Sequence, residues 1–587
     1  MTTLRTAVND RAAWYRPELN QETLILLFAV ALTVCFNSMF WEQALLGRSA
    51  LSLRTGWFVL ATGASIACIH FLLLALVCTA RTIKIWLAVI WLLSASAWFY
   101  MSRYSVYLDA DMLRNVMHTQ SKEAFELLTP SSVLAVVGLS VPALLLLLFV
   151  RVRPRPWLRG VFRRTVGLVL AFAVALSGIL SVYPQLSSLM RNEPQLRYLV
   201  TPANLIVGTW RVGASQFKQA QQPRLAIGLD AVQHGRAERR PRLLLLMVGE
   251  TVRAANWGLN GYSRQTTPEL ANIDLVNFPD VSACGSNTEV SVPCLFAPVG
   301  RREYRESTIR GQDSLLHLLD RVGVQSLWLD NQTGCKGVCT GLAFESIRGD
   351  EDPALCDGEV CLDQVLVDRV RGFLASGEGA VDAVSDQIIV LHPLGNHGPS
   401  YSRRYPAAFR RFVPTCEKAD LSACSMEEIG NSYDNAIGYT DHLLAELIGM
   451  LDRQSTYDAA LLYVSDHGES LGERGLYLHG LPYSLAPSEQ LKVPMALWTS
   501  DALTSSMVVD QACLRQESRQ SLTHDNVFHS VMGLFDVSSV VYAPELDLLA
   551  RCRSATPAGS LAGRGGAALL APRAAQVHVA DGGQQGR

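Results

Sequence analysis

The 587-residue sequence lacks an excess of either charge. Its 51 lysines and arginines face 53 aspartates and glutamates, a formal net charge of -2 that gives no global argument for nucleic acid as a partner. It has no internal repeat, which excludes solenoid and propeller arrays. It also lacks a cleavable signal, so the first apolar stretch is expected to act as the anchor. "CKGVC" (335–339) resembles half of a zinc knuckle, but no second half with histidine spacing accompanies it. What the chain has in quantity is apolar residues: they make up 49% of it, and the first third carries the excess.

Five stretches, 24–41, 57–80, 85–101, 133–150 and 165–182, meet or approach the length a helix needs to cross about 30 Å of hydrocarbon. One such helix fits a buried core, whereas five in succession point to a membrane, and Trp or Tyr flanks several of them. The loop "RVRPRPWLRGVFRR" carries Arg151, Arg153, Arg155, Arg159, Arg163 and Arg164, which places it in the cytoplasm. Arg81, Lys84 and the N-terminal Arg5, Arg11 and Arg16 agree, and counting spans puts everything after about residue 183 outside. The cysteines support this side assignment. Cys35, Cys68 and Cys78 lie in spans, while the other ten of the thirteen fall outside as 284/294, 335/339, 356/361, 416/424 and the more distant 513/552. An even count in that compartment favours disulfides, hence a periplasm.

These features divide the chain into a transmembrane domain (1–183) with a polar outer helix near 105–128, an interfacial connector (184–240), a periplasmic domain (241–552) and a disordered tail (553–587) rich in Ala and Gly. In the periplasmic part, 243–250, 325–330, 387–395 and 459–469 read as buried strands separated by helical segments. That alternation implies a parallel α/β sheet, whose ligands bind beyond the carboxyl ends of the strands.

Glu250 ends the first of those strands, and Asp466 with His467 ends the last. Two carboxylates and an imidazole suit zinc, and Thr288 in "CGSNTEVSVPCLF" fits the fourth position, where a metal lowers the pKa of its hydroxyl. The same Ser/Thr/Asn cluster also reads as a helix N-cap, which is compatible because a helix N-terminus presents N–H groups to phosphate. His397 and His479, in loops rich in Gly and Pro, can stabilise phosphoryl charge, protonate a leaving group or bind a second zinc. Lys336 offers a fixed positive charge. Asn115, Thr119 and Glu123 recur every four residues and share a helical face, which by itself reads equally as a solvated surface.

The stretches "VGETVRAANWGLNGYSRQTTPEL", "CGSNTEVSVPCLF", "DNQTGCKGVC", "GNHGPSYSRRYP" and "YVSDHGESLGERGLYLHGLPY" resemble the bacterial phosphoethanolamine transferases that modify lipid A, including the mobile colistin resistance enzymes. The resemblance covers roughly residues 20 to 550. It implies a five-helix membrane domain joined to a sulfatase-like domain of the alkaline phosphatase superfamily, in the inner membrane. By that resemblance Glu250, Thr288, Asp466 and His467 form the zinc site, with Thr288 the nucleophile. His397 and His479 match residues of a second metal or of substrate phosphate binding, Lys336 a substrate-contacting lysine, and Asn115, Thr119 and Glu123 a helix that helps hold the lipid donor. Phosphatidylethanolamine is the implied donor, lipid A phosphate the acceptor, and a monomer among inner-membrane lipids the expected state. The alternative acceptor is an inner-core heptose, Kdo or another periplasmic glycan. A soluble-substrate hydrolase would not need five spans, and a zinc-stabilised scaffold would not need the Glu/Thr/Asp/His set.

Overall fold

The computed structural model describes residues 17–553 apart from 47, 50–51, 119–126, 154–155, 222–223, 236–238, 348–352, 357–359 and 377–384. Thr119, Glu123 and the tail after 553 therefore lie outside the described residues.

The N-terminal part is helical: α1 (Gln21–Cys35), α2 (Ser38–Ala44), α3 (Leu53–Val77), α4 (Ile83–Tyr104), the polar α5 (Ala110–His118), α6 (Pro130–Phe149) and α7 (Trp157–Ser181). Among the described residues α3, α4, α6 and α7 are long and apolar enough to cross a membrane, and α1 with α2 adds a fifth span if that pair, bent by 57°, is counted as one. The sequence suggested an unbroken first span. Buried Asn37 marks the break: its Nδ2 donates to the carbonyls of Leu32 at 3.0 Å and Thr201 at 2.9 Å, and its Oδ1 accepts from Thr201 N at 2.9 Å. A side-chain amide that bonds backbone groups competes with the helical ladder and bends it. The same bonds tie the first helix to the connector.

β1 (Glu18–Leu19) pairs in parallel with β2 (Arg151–Val152), so the N-terminal segment and the arginine-rich loop share one end of the bundle. α7 runs from that end to the other, where α8 (Tyr183–Asn192) and α9 (Ala203–Gln221) lead into the C-terminal domain.

That domain is built on eight strands, β3 (Arg242–Gly249), β4 (Val276–Ser282), β5 (Gln325–Asp330), β6 (Ala343–Ser346), β7 (Gln387–His392), β8 (Asp458–Ser465), β9 (Lys492–Thr499) and β10 (Leu522–Thr523), in the order β10-β4-β9-β8-β3-β7-β5-β6. Only β9 runs against its neighbours. All eight residues of β3 are buried, which is why it reads as a continuous apolar run. Its side chains alternate between two cores: Leu244, Leu246 and Val248 face one layer, and Leu243, Leu245 and Met247 face the other. Three helices shape the site, α10 (Thr288–Leu295), α11 (Glu306–Gly311) and the long α12 (Met426–Arg453). α12 starts in a Ser425/Glu428 capping box and covers the second core with Ile429, Tyr433, Ile437 and Leu444.

The four strands expected from the sequence, β3, β5, β7 and β8, are neighbours in the sheet. β4 and β9, which continue the sheet beyond β8, carry Pro279 and Pro494, residues that argue against strand on sequence grounds, and Pro494 falls at a register shift between Val493 and Met495. Disulfides join 284–294, 335–339, 356–361, 416–424 and 513–552, while Cys35, Cys68 and Cys78 are free.

Candidate active site

The carboxyl ends of adjacent parallel strands deliver the site. Glu250 follows β3, Asp466 and His467 follow β8, and Asp466 N donates to Gly249 O at 2.8 Å, which locks the two strand ends together. Between them Thr251 adopts φ +53°, a strained conformation for a β-branched residue. Its N–H donates to Asp466 Oδ1 at 3.2 Å and its carbonyl accepts from Tyr433 Oη at 2.5 Å.

Thr288 enters from the N-terminus of α10. The cap is Asn287, whose Oδ1 accepts from Val290 N at 3.0 Å, so Thr288 is the first helical residue and its hydroxyl is left for other work. Thr288 Oγ1 donates to Glu250 Oε2 at 3.2 Å and lies 3.3 Å from His467 Nε2. His467 Nε2 is 3.4 Å from Asp466 Oδ2 and 3.5 Å from Glu250 Oε1. Glu250, Asp466 and His467 are fully buried, and one ligand atom from each falls within 4.8 Å of the others.

His467 Nδ1 donates to Gly468 O at 2.9 Å, which leaves the lone pair of Nε2 facing the two carboxylates. Asp466 Oδ2 is buried with no hydrogen-bond donor among the described residues. Two buried carboxylates and an imidazole lone pair converging on one point call for a cation, and this donor set fits a metal ion. Burial pushes the Asp466 carboxyl up to about 6 against the N–H groups of Thr251 and His467, and burial together with His479 holds the His467 imidazole well below its ordinary value. Both shifts share one cause, burial that disfavours the charged form, and for the carboxylate a bound cation would relieve it.

The other expected residues surround this set. The His479 ring lies 4.4 Å from that of His467 and 5.6 Å from that of His397, and His479 Nδ1 is 3.3 Å from Glu469 Oε2. Burial raises the Glu469 carboxyl and His479 opposes that rise. Burial, reinforced by His479, holds His397 neutral. Lys336 sits at φ +50° in the 335–339 disulfide turn and bonds Thr333 Oγ1. Asn115 is half-buried on α5, but the face it was expected to share with Thr119 and Glu123 falls outside the described residues.

Several residues of the site had no sequence signal. Gln332 donates to Glu250 Oε2. Ser291 donates to the Asp466 carbonyl and lies 3.3 Å from His524 Nδ1. His524 Nδ1 also accepts from Cys284 N at 3.2 Å, and its Nε2 donates to Ser465 O at 3.0 Å, so one imidazole joins the 284–294 frame to the strand that ends at Asp466. Glu289, next to Thr288, is held by Arg310 at 3.1 Å and Lys336 at 3.3 Å. Arg310 continues to Glu306 at 3.5 Å, and Glu306 pairs with Arg114 of α5. An alternating chain of charges thus runs from the helix beside the bundle to the neighbour of Thr288.

The comparisons with known proteins agree with this geometry. The Sulfatase family matches residues 242–537, and the family described as phosphoethanolamine transferase EptA/EptB matches residues 66–217. The phosphoethanolamine transferase EptA of Escherichia coli (strain K12) is 35% identical over 548 residues, which cover 92% of this chain and 98% of the relative. The phosphatidylethanolamine transferase Mcr-1 of Escherichia coli is 34% identical over 541 residues, 90% of this chain and 97% of the relative. The solved structure of the integral membrane protein lipooligosaccharide phosphoethanolamine transferase A (EptA) from Neisseria meningitidis superposes with a TM-score of 0.84 at 34% identity, covering 92% of this chain and 100% of that one. Likeness along both the helical bundle and the sheet that carries Glu250, Asp466 and His467 makes this chain a member of the phosphoethanolamine transferase family, and an enzyme.

Proposed function

We propose that the enzyme moves phosphoethanolamine from phosphatidylethanolamine to a phosphate of lipid A through a covalent phosphoethanolamine-threonine intermediate. The observation that carries this reading is the position of Thr288 Oγ1, 3.2 Å from Glu250 Oε2 and 3.3 Å from His467 Nε2 at a helix N-terminus.

Glu250, Asp466 and His467 are the proposed zinc ligands, with Thr288 completing the set. A bound zinc supplies Lewis acidity, which lowers the pKa of a neighbouring hydroxyl and offsets phosphoryl charge. In the first step Thr288 Oγ attacks the donor phosphorus, the bond to the glycerol oxygen breaks, and diacylglycerol leaves as the alcohol. In the second an acceptor phosphate oxygen attacks the same phosphorus and frees Thr288. His397, neutral by burial, and His479 beside it are placed to pass the proton to the leaving oxygen, and Lys336 is the fixed charge toward phosphate. Asn115, with Thr119 and Glu123, is proposed to help hold the donor.

The cellular arrangement belongs to the same reading: residues 1–183 in the inner membrane with the N-terminus cytoplasmic, 184–240 at its surface, 241–552 in the periplasm, and the protein a monomer. The shared end of β1 and the arginine-rich loop supports the orientation. An added amine offsets anionic phosphate and so lowers attraction for cationic peptides such as polymyxins.

Mass spectrometry of lipid A from cells expressing wild type and Thr288→Ala tests the proposal. Wild type is expected to add phosphoethanolamine to lipid A and the variant none. Equal addition by both would refute the nucleophile, and addition elsewhere on the glycolipid would move the acceptor to the inner core.

A further inference from the structure

A second polar cavity lies away from Thr288, at the ends of the membrane helices nearest the C-terminal domain. It encloses about 590 Å³ between the end of α2, the start of α3 and α8, and its polar wall includes Arg48, Arg54, Gln185, Ser188, Asn192 and Glu193. That volume is in the range of small-ligand sites. None of these residues belongs to the site described above.

Its two arginines are the feature that needs an explanation. Short loops on the outer side of a bundle ordinarily avoid Lys and Arg, yet the α2–α3 connection and the first turn of α3 place Arg48 and Arg54 together there. Neither has a carboxylate partner among the described residues, whereas Arg114, Arg242, Arg253 and Arg310 of the buried interior all do. Arg48 lies over the Phe58 ring at 4.3 Å and, among the described residues, gives only its Nε to a protein acceptor, Ala44 O at 3.1 Å. With the Gln185 amide turned to satisfy its neighbours, its oxygen accepts from Arg54 Nε at 3.2 Å and its nitrogen donates to Val182 O at 3.0 Å. The one carboxylate in the wall, Glu193, is engaged by Gln195 Nε2 instead. Beside the opening, Leu46, Leu53 and Trp57 are 79%, 94% and 54% exposed, an apolar border of the kind that meets acyl chains, with a Trp at headgroup level.

We propose that this cavity binds the phosphate of a membrane-lipid headgroup, with Arg48 and Arg54 on the phosphate, Gln185, Ser188 and Asn192 on its hydroxyl groups, and the acyl chains along Leu46, Leu53 and Trp57. A guanidinium pair is the arrangement that recognises phosphate by forked hydrogen bonds, and desolvation at the bilayer edge strengthens those bonds. The inference rests on the membrane reading of the helices and not on the transfer chemistry. Its ligand comes from one of two sources, a phosphorylated glycolipid or an ordinary anionic phospholipid.

Native mass spectrometry of the delipidated full-length protein, carrying Thr288→Ala so that no lipid is consumed, separates these. The probes are diphosphoryl lipid A, phosphatidylglycerol and zwitterionic phosphatidylethanolamine. The anionic lipids are expected to be retained over phosphatidylethanolamine, and Arg48→Gln and Arg54→Gln each to cut that retention about five-fold. Ser188→Asp, at an exposed position of α8, adds repulsion without touching packing and is expected to act in the same direction. Loss of both anionic lipids assigns the site to phosphate alone; loss of lipid A only assigns it to the phosphorylated sugar. Retention unchanged in all three variants, or no preference over phosphatidylethanolamine, overturns the proposal. Because binding and not transfer is read, the outcome stands whichever acceptor the catalytic site uses.

Discussion

Glu289 Oε1 lies 3.3 Å from Lys336 Nζ, so the residue directly after the proposed nucleophile holds the lysine proposed to meet the phosphate. Its other oxygen takes Arg310 at 3.1 Å, and the Glu289 side chain is fully buried. Glu289→Gln removes one charge from between two buried cations, and breaking such a cluster from one side costs about 3–5 kcal/mol. The expected result is a clear fall in thermal unfolding temperature and a slower transfer rate, because Lys336 loses its anchor. An unfolding temperature and rate equal to wild type would show that the cluster does not position the lysine.

The converging carboxylates predict how the enzyme responds to chelation. Asp466→Ala removes one of the two carboxylates from the proposed protein donor set, so metal content measured on the purified protein is expected to fall sharply. Thr288→Ala keeps all three of those donors and is expected to retain most of its metal while losing transfer. A chelator should inactivate wild type, with zinc restoring activity. Full activity after metal is stripped would remove the metal from the chemistry.

His524 predicts a pH dependence of stability. Burial lowers its imidazole from 6.5 to about 4, opposed only by the bond to Ser465 O. Between those two values the unfolded chain carries a proton that the folded chain refuses, so the unfolded state binds more protons and stability rises with pH. The contribution is whole above about 6.5 and is lost as pH falls toward 4, at a slope of up to about 1.4 kcal/mol per pH unit. His524→Gln has no such titration, so the stability gap between wild type and variant is expected to shrink across that window in chemical unfolding followed by circular dichroism. A constant gap would mean that His524 titrates in the folded state as it does in the unfolded one.

The parts of this site that were legible in the sequence share a physical origin. Glu250, Asp466 and His467 terminate apolar runs that only a buried parallel strand explains, so their convergence follows from sheet topology. The disulfides 284–294, 335–339 and 416–424 followed from compartment and proximity in the chain, whereas 356–361 and 513–552 were left open by the sequence. The bend at Asn37 was not legible, because the amide acts through Thr201, far along the chain, and no local pattern records a partner at that distance. Ser291 and His524 were missed for the same reason, since each looks ordinary until the fold sets them 3.3 Å apart. Glu289 was hidden inside a helix that already had a satisfactory reading as a capped segment.

Gly395 offers a test of how tightly Glu250, the first of the proposed metal ligands, is held. It lies at φ +53°, its N–H donates to Asp363 Oδ2 at 2.8 Å, and the next residue, Asn396, donates its N–H to Glu250 O at 3.1 Å. A Cβ at Gly395 would stand 2.9 Å from both Glu250 Cβ and Glu250 O, closer than such atoms pack, and both are fixed by the backbone just after β3 and cannot swing away. Gly395→Ala therefore adds left-handed strain, costing roughly 1 kcal/mol, and a steric push applied to the ligand itself. Since second-sphere changes around a metal site typically cost about 10- to 100-fold in affinity or activity, metal affinity and transfer are expected to fall together by that order while the fold survives. Titrating the variant with zinc should partly recover the rate. If affinity for metal is unchanged and only stability drops, the glycine serves the turn alone and Glu250 is positioned by Gln332 and the strand.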